Sequence, residues 1–278
     1  ATGLGRDELF VAISGGFGEI RVGAPNSISL NTFQASSPMG TGIGSGYAAL
    51  TVANGNTTTR YNRSVRFDSP VMNGFSVSAL HAPGGDSIPT NATANTAIAS
   101  NTTTLGEPNA RKATELSLNY SNGPLNVRLA SVNIAAQDNG LGYYSAATTY
   151  KTATTSMIGA NYTFGATTLY AGYVTGDQYA GATGTNTTNA TVKQSRLAVK
   201  QNFGAVDVIV QTQNSVVTTA GVDGATVSVV GARVDYNLSK TAVAYLGYQR
   251  LDTAAAYNAA TFAGGDLSTV SVGLRKSF

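Results

Sequence analysis

The sequence predicts an all-β protein, a transmembrane antiparallel up-and-down β-barrel. Three observations point there. About thirteen segments of roughly ten residues alternate apolar and polar side chains, which is the length a tilted membrane strand needs. Their connections alternate between very short turns and long polar loops, as a meander with unequal ends produces. Aromatic residues gather beside the short turns, where a membrane interface would hold them.

Taken in order, the alternating segments are 8–15, 17–23, 61–69, 74–81, 112–121, 125–134, 154–164, 167–175, 194–203, 205–213, 226–238, 241–250 and a terminal strand, 267–278. The last is the clearest: Val270, Val272, Leu274, Lys276 and Phe278 share one side, and Thr269, Ser271, Gly273, Arg275 and Ser277 the other. Short turns fall at 15–16, 70–73, 122–124, 165–166, 204 and 239–240, each containing or abutting a turn-forming residue. Long connections fall between them at 24–60, 82–111, 135–152, 176–193, 214–225 and 251–266. Phe67, Phe75, Tyr120, Phe164, Phe203, Tyr236 and Phe278 cluster at the short-turn end and predict an interfacial girdle.

One face of these strands is apolar, with pairs such as Val11 and Ile13, Leu116 and Leu118, or Val208 and Val210. The opposite face carries Glu19, Arg21, Arg66, Asp68, Glu115, Arg128, Arg196, Lys200, Asp207, Arg233, Asp235 and Arg275. So many charges need water rather than a dry core. Alternation alone leaves a soluble sandwich or barrel, with the apolar face inward, as the alternative.

Composition narrows the function. Charged residues make up 11% of 278, and the net charge of +3 comes without any Lys/Arg cluster, so nucleic acid is not the expected partner. With no cysteine and one histidine, disulfide scaffolds, thiolate zinc sites and cysteine nucleophiles drop out, and no cofactor is expected. No apolar run is long enough for a membrane helix. The first ten residues have neither a basic nor an apolar signal region, so any secretory signal is expected to have been removed or to lie outside this sequence. The glycine-rich stretch 40–46 follows no strand-to-helix turn and reads as loop rather than phosphate cradle. Asp86, Asp138, Asp177 and Asp266 are isolated loop acids without the clustering a calcium site requires.

Several words in the chain then resemble one family. The stretches 10–23 (FVAISGGFGEIRVG), 66–79 (RFDSPVMNGFSVSA), 120–124 (YSNGP), 161–165 (NYTFG), 236–240 (YNLSK) and 273–278 (GLRKSF) are similar, in order, to the general diffusion porins of Gram-negative bacteria, particularly those of beta-proteobacteria. The resemblance implies a single porin barrel domain over 1–278, in the outer membrane, usually as a trimer. It implies 16 strands against the thirteen visible, with 24–60 as the third loop, folded into the lumen as a constriction. That slot fits only if roughly three strands precede Glu8, and they are expected to be missing from this sequence. The implied partners are outer-membrane lipid and lipopolysaccharide, a homotrimer, and the barrel-assembly machinery, which would read the C-terminal strand through Phe278 and Leu274.

A channel of this kind selects by the charges on its wall. Arg21, Arg66, Arg128, Arg196, Lys200 and Arg233, with Arg60 and Arg63 nearby, are the candidate cations, and Glu19 and Asp68 the candidate acids. Residues 24–59 contain no charged side chain, so the loop supplies no acidic counterweight and the local field is expected to be positive. The expected function is passive diffusion of small hydrophilic solutes and ions with a tilt toward anions, and no catalysis. Two rivals stand beside it: an adhesin or surface-layer partner acting through Thr/Asn/Gly-rich loops, and a barrel hydrolase that would have to use the lone His81.

Overall fold

The computed structural model describes residues 8–47, 58–83, 112–134, 152–177, 190–252 and 267–276. Thirteen strands and one helix follow one another: β1 (Leu9–Gly15), β2 (Gly18–Ala24), α1 (Ile28–Ala35), β3 (Ser64–Asp68), β4 (Phe75–Ala82), β5 (Ala113–Asn122), β6 (Leu125–Ile134), β7 (Ala153–Phe164), β8 (Thr167–Asp177), β9 (Ala190–Phe203), β10 (Val206–Thr219), β11 (Val222–Ser239), β12 (Ala242–Asp252) and β13 (Leu267–Lys276). They form one sheet in strict sequence order, every pair antiparallel. This is the predicted meander, strand for strand.

The two faces divide as the alternation requires. Val11, Ile13, Val22, Leu116, Leu118, Leu129, Leu197 and Val210 all stand exposed on the apolar face. An apolar patch of that extent is inconsistent with water on that side. Phe75, Phe164, Phe203 and Tyr236 are exposed on the same face beside the short turns, and Phe75 packs on Tyr120 at 4.6 Å between ring centroids. Phe278 and the long connections 84–111, 135–151, 178–189 and 253–266 lie outside the described residues.

Among the described residues the sequence expectation fails at one connection. Residues 214–225 are not a long loop: β10 and β11 continue through them and turn at Ala220-Gly221, with Thr219 paired to Val222. Both turn residues have positive φ, 51° and 82°, as a two-residue primed hairpin demands. The Asn73-Gly74 turn has the same geometry, φ 51° and 87°, and announces it with the expected residues. Alanine is a poor fit for that region of backbone space, so Ala220 gave the second hairpin no turn signal.

The polar face is only partly polar. Toward the long-loop end it carries Leu80, Ala82, Ala113, Val132, Met157 and Val174, all buried, and these form one cluster with Ile28, Leu30, Phe33, Tyr47 and Tyr61 from the segment between β2 and β3. A patch of core therefore lies between the wall and that segment. It was invisible to a reading that assigned the whole face to water.

Candidate functional site

Residues 25–47 leave β2 and cross the polar face of the sheet. Ser27 opens α1 as its N-cap, its hydroxyl accepting from the Leu30 N–H at 3.0 Å. Ser36 closes it, its N–H donating to Phe33 O at 2.9 Å, and Pro38 prevents continuation. Six of the eight helical residues are buried; Asn31 is turned to Arg66 on β3, and Gln34 is exposed, away from the wall. The sequence reading found no helix here, because eight residues with apolar positions on several sides carry little periodic signal.

The wall makes room for this segment. α1 packs against β4 to β8, chiefly β6 and β7. At Gly159 on β7 a Cβ would overlap the Thr32 carbonyl oxygen, and at Gly172 on β8 one would stand 2.7 Å from Ser36 Cβ. Gly231 on β11 meets the backbone of Gly44 just as closely. Glycine at these three inward positions forms the seat.

Charges on the wall hold both ends of the helix. Glu115 on β5 is fully buried and accepts from Ser29 N at 2.9 Å, Ser29 Oγ at 2.7 Å and Tyr61 OH at 3.0 Å. It thus sits at the N-terminus of α1, where a helix dipole favours an anion. Arg196 on β9 sits at the other end, 3% exposed, with its guanidinium 3.7 Å from the Phe33 ring centroid and donating to Ser36 Oγ at 2.7 Å. It also donates to Gln213 Oε1 and Gln194 Oε1, at 3.0 Å each. A cation at a helix C-terminus is again the favoured sign. Burial, and then the charge of Glu115 nearby, push the Tyr61 and Tyr47 hydroxyls well above the ordinary tyrosine range, so both stay protonated.

Beyond the helix the anchoring continues strand by strand. Ser37 Oγ donates to Gln211 Oε1 on β10 at 2.9 Å, and Gln211 Nε2 donates to the Ser45 carbonyl. Gln213 Nε2 donates to Gly46 O at 2.8 Å. Arg233 on β11 donates to Pro38 O and Met39 O, at 3.3 Å each, while paired with Asp235 at 2.8 Å. Gly44 N donates to Gln249 Oε1 on β12 at 2.8 Å. At the near end Arg66 on β3 is 5% exposed. It grips Asp68 through two 2.8 Å bonds and donates to Asn26 O at 2.7 Å and Asn31 Oδ1 at 2.6 Å.

The candidate residues thus fall into groups. Arg196 and Arg233 lie beneath segment 25–47, not on an open wall, and Glu115 and Asp235 lie there with them. Arg66 and Asp68 are a pair at the segment's edge. Arg21 on β2, one quarter exposed, pairs with Glu19 and lies 3.9 Å from Glu8. Arg128 on β6 is half-exposed, opposite Asn119 and Gly159, with Arg66 and Asp68 within electrostatic reach. Lys200 on β9 is half-exposed between Thr168 and Ile209. Arg60 bridges to Asn26, and Arg63 is exposed with φ 55° just before β3. Leu274 is exposed on the apolar face of β13. His81 is also outward, its Nδ1 3.0 Å from Thr114 Oγ1 and exposed.

Solved outer-membrane proteins share this fold. An anion-selective porin from Comamonas acidovorans is similar with a TM-score of 0.68 and 20% identity over 97% of this chain and 77% of that one. The in-vitro folded trimer form of OmpT from Vibrio cholerae gives 0.62 at 15% identity over 96% and 79%. OmpF of Salmonella typhi in complex with daunomycin gives 0.63 at 15% over 94% and 74%. No curated protein sequence matches the chain. The family model of the Gram-negative porins matches residues 1–256, and the chain belongs to that family. It is an outer-membrane β-barrel channel for passive diffusion.

Proposed function

We propose that the channel is a homotrimer with a weak to moderate preference for small anions, set where segment 25–47 narrows the lumen. The observation that carries this reading is the character of that segment. Its exposed side chains Gln34 and Thr41 are an amide and a hydroxyl, and it contributes no charge. The wall beside it holds Arg21, Arg66 and Arg128, while its acids Glu19 and Asp68 are engaged with Arg21 and Arg66. Arg128 and Lys200 extend the positive field along the wall, and a dry-backed wall focuses it. Arg196 and Arg233 act from behind, fixing the segment's position rather than meeting solute.

The anion-selective porin from Comamonas acidovorans supports the sign, and the trimer form of OmpT supports the assembly. Lipid and lipopolysaccharide contact the apolar face, and the alternating terminal strand with Leu274 and Phe278 is the segment the barrel-assembly machinery reads. The segment 24–60 is the constriction loop of this reading.

Planar-bilayer recording tests it. Large, persistently open, ohmic steps are expected, with a zero-current potential across a KCl gradient of the sign for chloride preference. Cation preference in that gradient would overturn the assignment.

A further inference from the structure

Between segment 25–47 and the short turns, the inward face of β9 and β10 carries one more pair of charges. Ala198 and Gln211 face each other at the level where Gln211 holds Ser37 and Ser45. The next inward row toward the short turn is Lys200 opposite Ile209, and the last is Asn202 opposite Asp207. Successive rows on one face are two residues apart, so both charges lie within about 14 Å of the anchored segment. They occupy the wall between the constriction and the short-turn mouth.

Lys200 and Asp207 are diagonal neighbours of opposite sign that do not pair with each other. Such neighbours stand about 7–8 Å apart. Lys200, half-exposed, makes no hydrogen bond or ion pair among the described residues. Asp207 accepts from Asn202 Nδ2 at 2.7 Å and from Asn237 Nδ2 at 3.3 Å, one amide to each carboxylate oxygen. By lone-pair count about two acceptor positions on the carboxylate remain, with all three donors of the ammonium. Asp235, opposite Asp207 on β11, is already bound to Arg233 at 2.9 Å. Tyr170 on β8 faces Ala198 one row above Lys200, and Asp207 lies within electrostatic reach of its hydroxyl. An aromatic ring thus flanks the two charges.

This arrangement selects by charge pattern rather than by net charge. A simple anion drawn to Lys200 meets Asp207 beside it, and a simple cation drawn to Asp207 meets Lys200. A molecule with a carboxylate and an ammonium a few bonds apart satisfies both, and the uncharged segment above sets no charge in its way. We propose that Lys200 and Asp207 form a transit site for zwitterionic solutes of the amino-acid class. The carboxylate rests on Lys200, the ammonium on Asp207 and the side chain against Tyr170. The site rests on the channel reading of the fold but not on the sign of its ion preference.

Planar-bilayer recording in KCl tests this with alanine and lactamide, isomers of the same composition of which one is zwitterionic and the other neutral. Alanine should lower the open-channel current along a saturating curve, and lactamide should act only through bulk conductivity. Lys200→Met and Asp207→Asn should each raise the half-saturating alanine concentration by about threefold or more, the scale of an exposed charge pair. Lactate separates the two roles: its block, weak in the wild type, should strengthen in Asp207→Asn and vanish in Lys200→Met. Equal effects of alanine and lactamide on the wild type overturn the proposal without any variant. So does an alanine curve unmoved in either variant. The zero-current potential of the wild type, read without solute, reports the anion preference by itself, so its failure leaves the alanine result standing.

Discussion

Glu115 and Arg196 show what a single wall residue does here. Each is a buried charge without an opposite charge hydrogen-bonded to it among the described residues, and each is satisfied by neutral groups at one end of α1. Glu115→Ala strands the Ser29 and Tyr61 donors, at about 1–3 kcal/mol for each buried group left unpaired. The expected outcome is a lower unfolding temperature and noisier open-channel current, both read against the wild type. Tyr61 adds a pH dependence. Its value is raised on folding, so its contribution is intact below about pH 10 and is lost as pH climbs beyond that. A thermal-stability profile flat through neutral pH and falling only in strong alkali is expected, and Tyr61→Phe should flatten the alkaline limb. The sequence put Glu115 and Arg196 on the correct face. It could not show that they were covered, because coverage depends on a segment distant in sequence.

At the scale of elements, the seat for α1 was written as glycines that looked like ordinary strand interruptions. Gly159→Val places a side chain where the Thr32 carbonyl lies, so α1 must lift from the wall. A lower single-channel conductance is expected, with strand content by circular dichroism unchanged. The β10–β11 hairpin offers the opposite experiment. Ala220 holds φ 51°, and Ala220→Gly should relieve about 1 kcal/mol and raise the unfolding midpoint. The strands themselves were legible because lipid on one side and water or polar cover on the other enforce a period of two. Turns were legible where Asn-Gly or Asn-Gly-Pro stood, and illegible at Ala220-Gly221. The helix was illegible because its stability comes from burial against the wall rather than from its own sequence pattern.

For the molecule as a whole, the order of the thirteen described strands and the direction of the apolar face followed from alternation, whereas loop length misled at 214–225. The strength and sign of the lumen field did not follow so directly. A count of wall charges treats Arg21 and Arg128 alike, whereas the fold pairs Arg21 with Glu19 and leaves Arg128 half-exposed beside Asn119. The central claim is that an uncharged constriction segment leaves a positive wall in control. It is tested most directly by the zero-current potential in a KCl gradient, measured for the wild type and for Gln34→Glu, which adds one carboxylate to the exposed side of α1. The account predicts chloride preference in the wild type and a clear shift toward potassium in the variant. A wild type that prefers potassium, or a variant whose potential does not move, would contradict it.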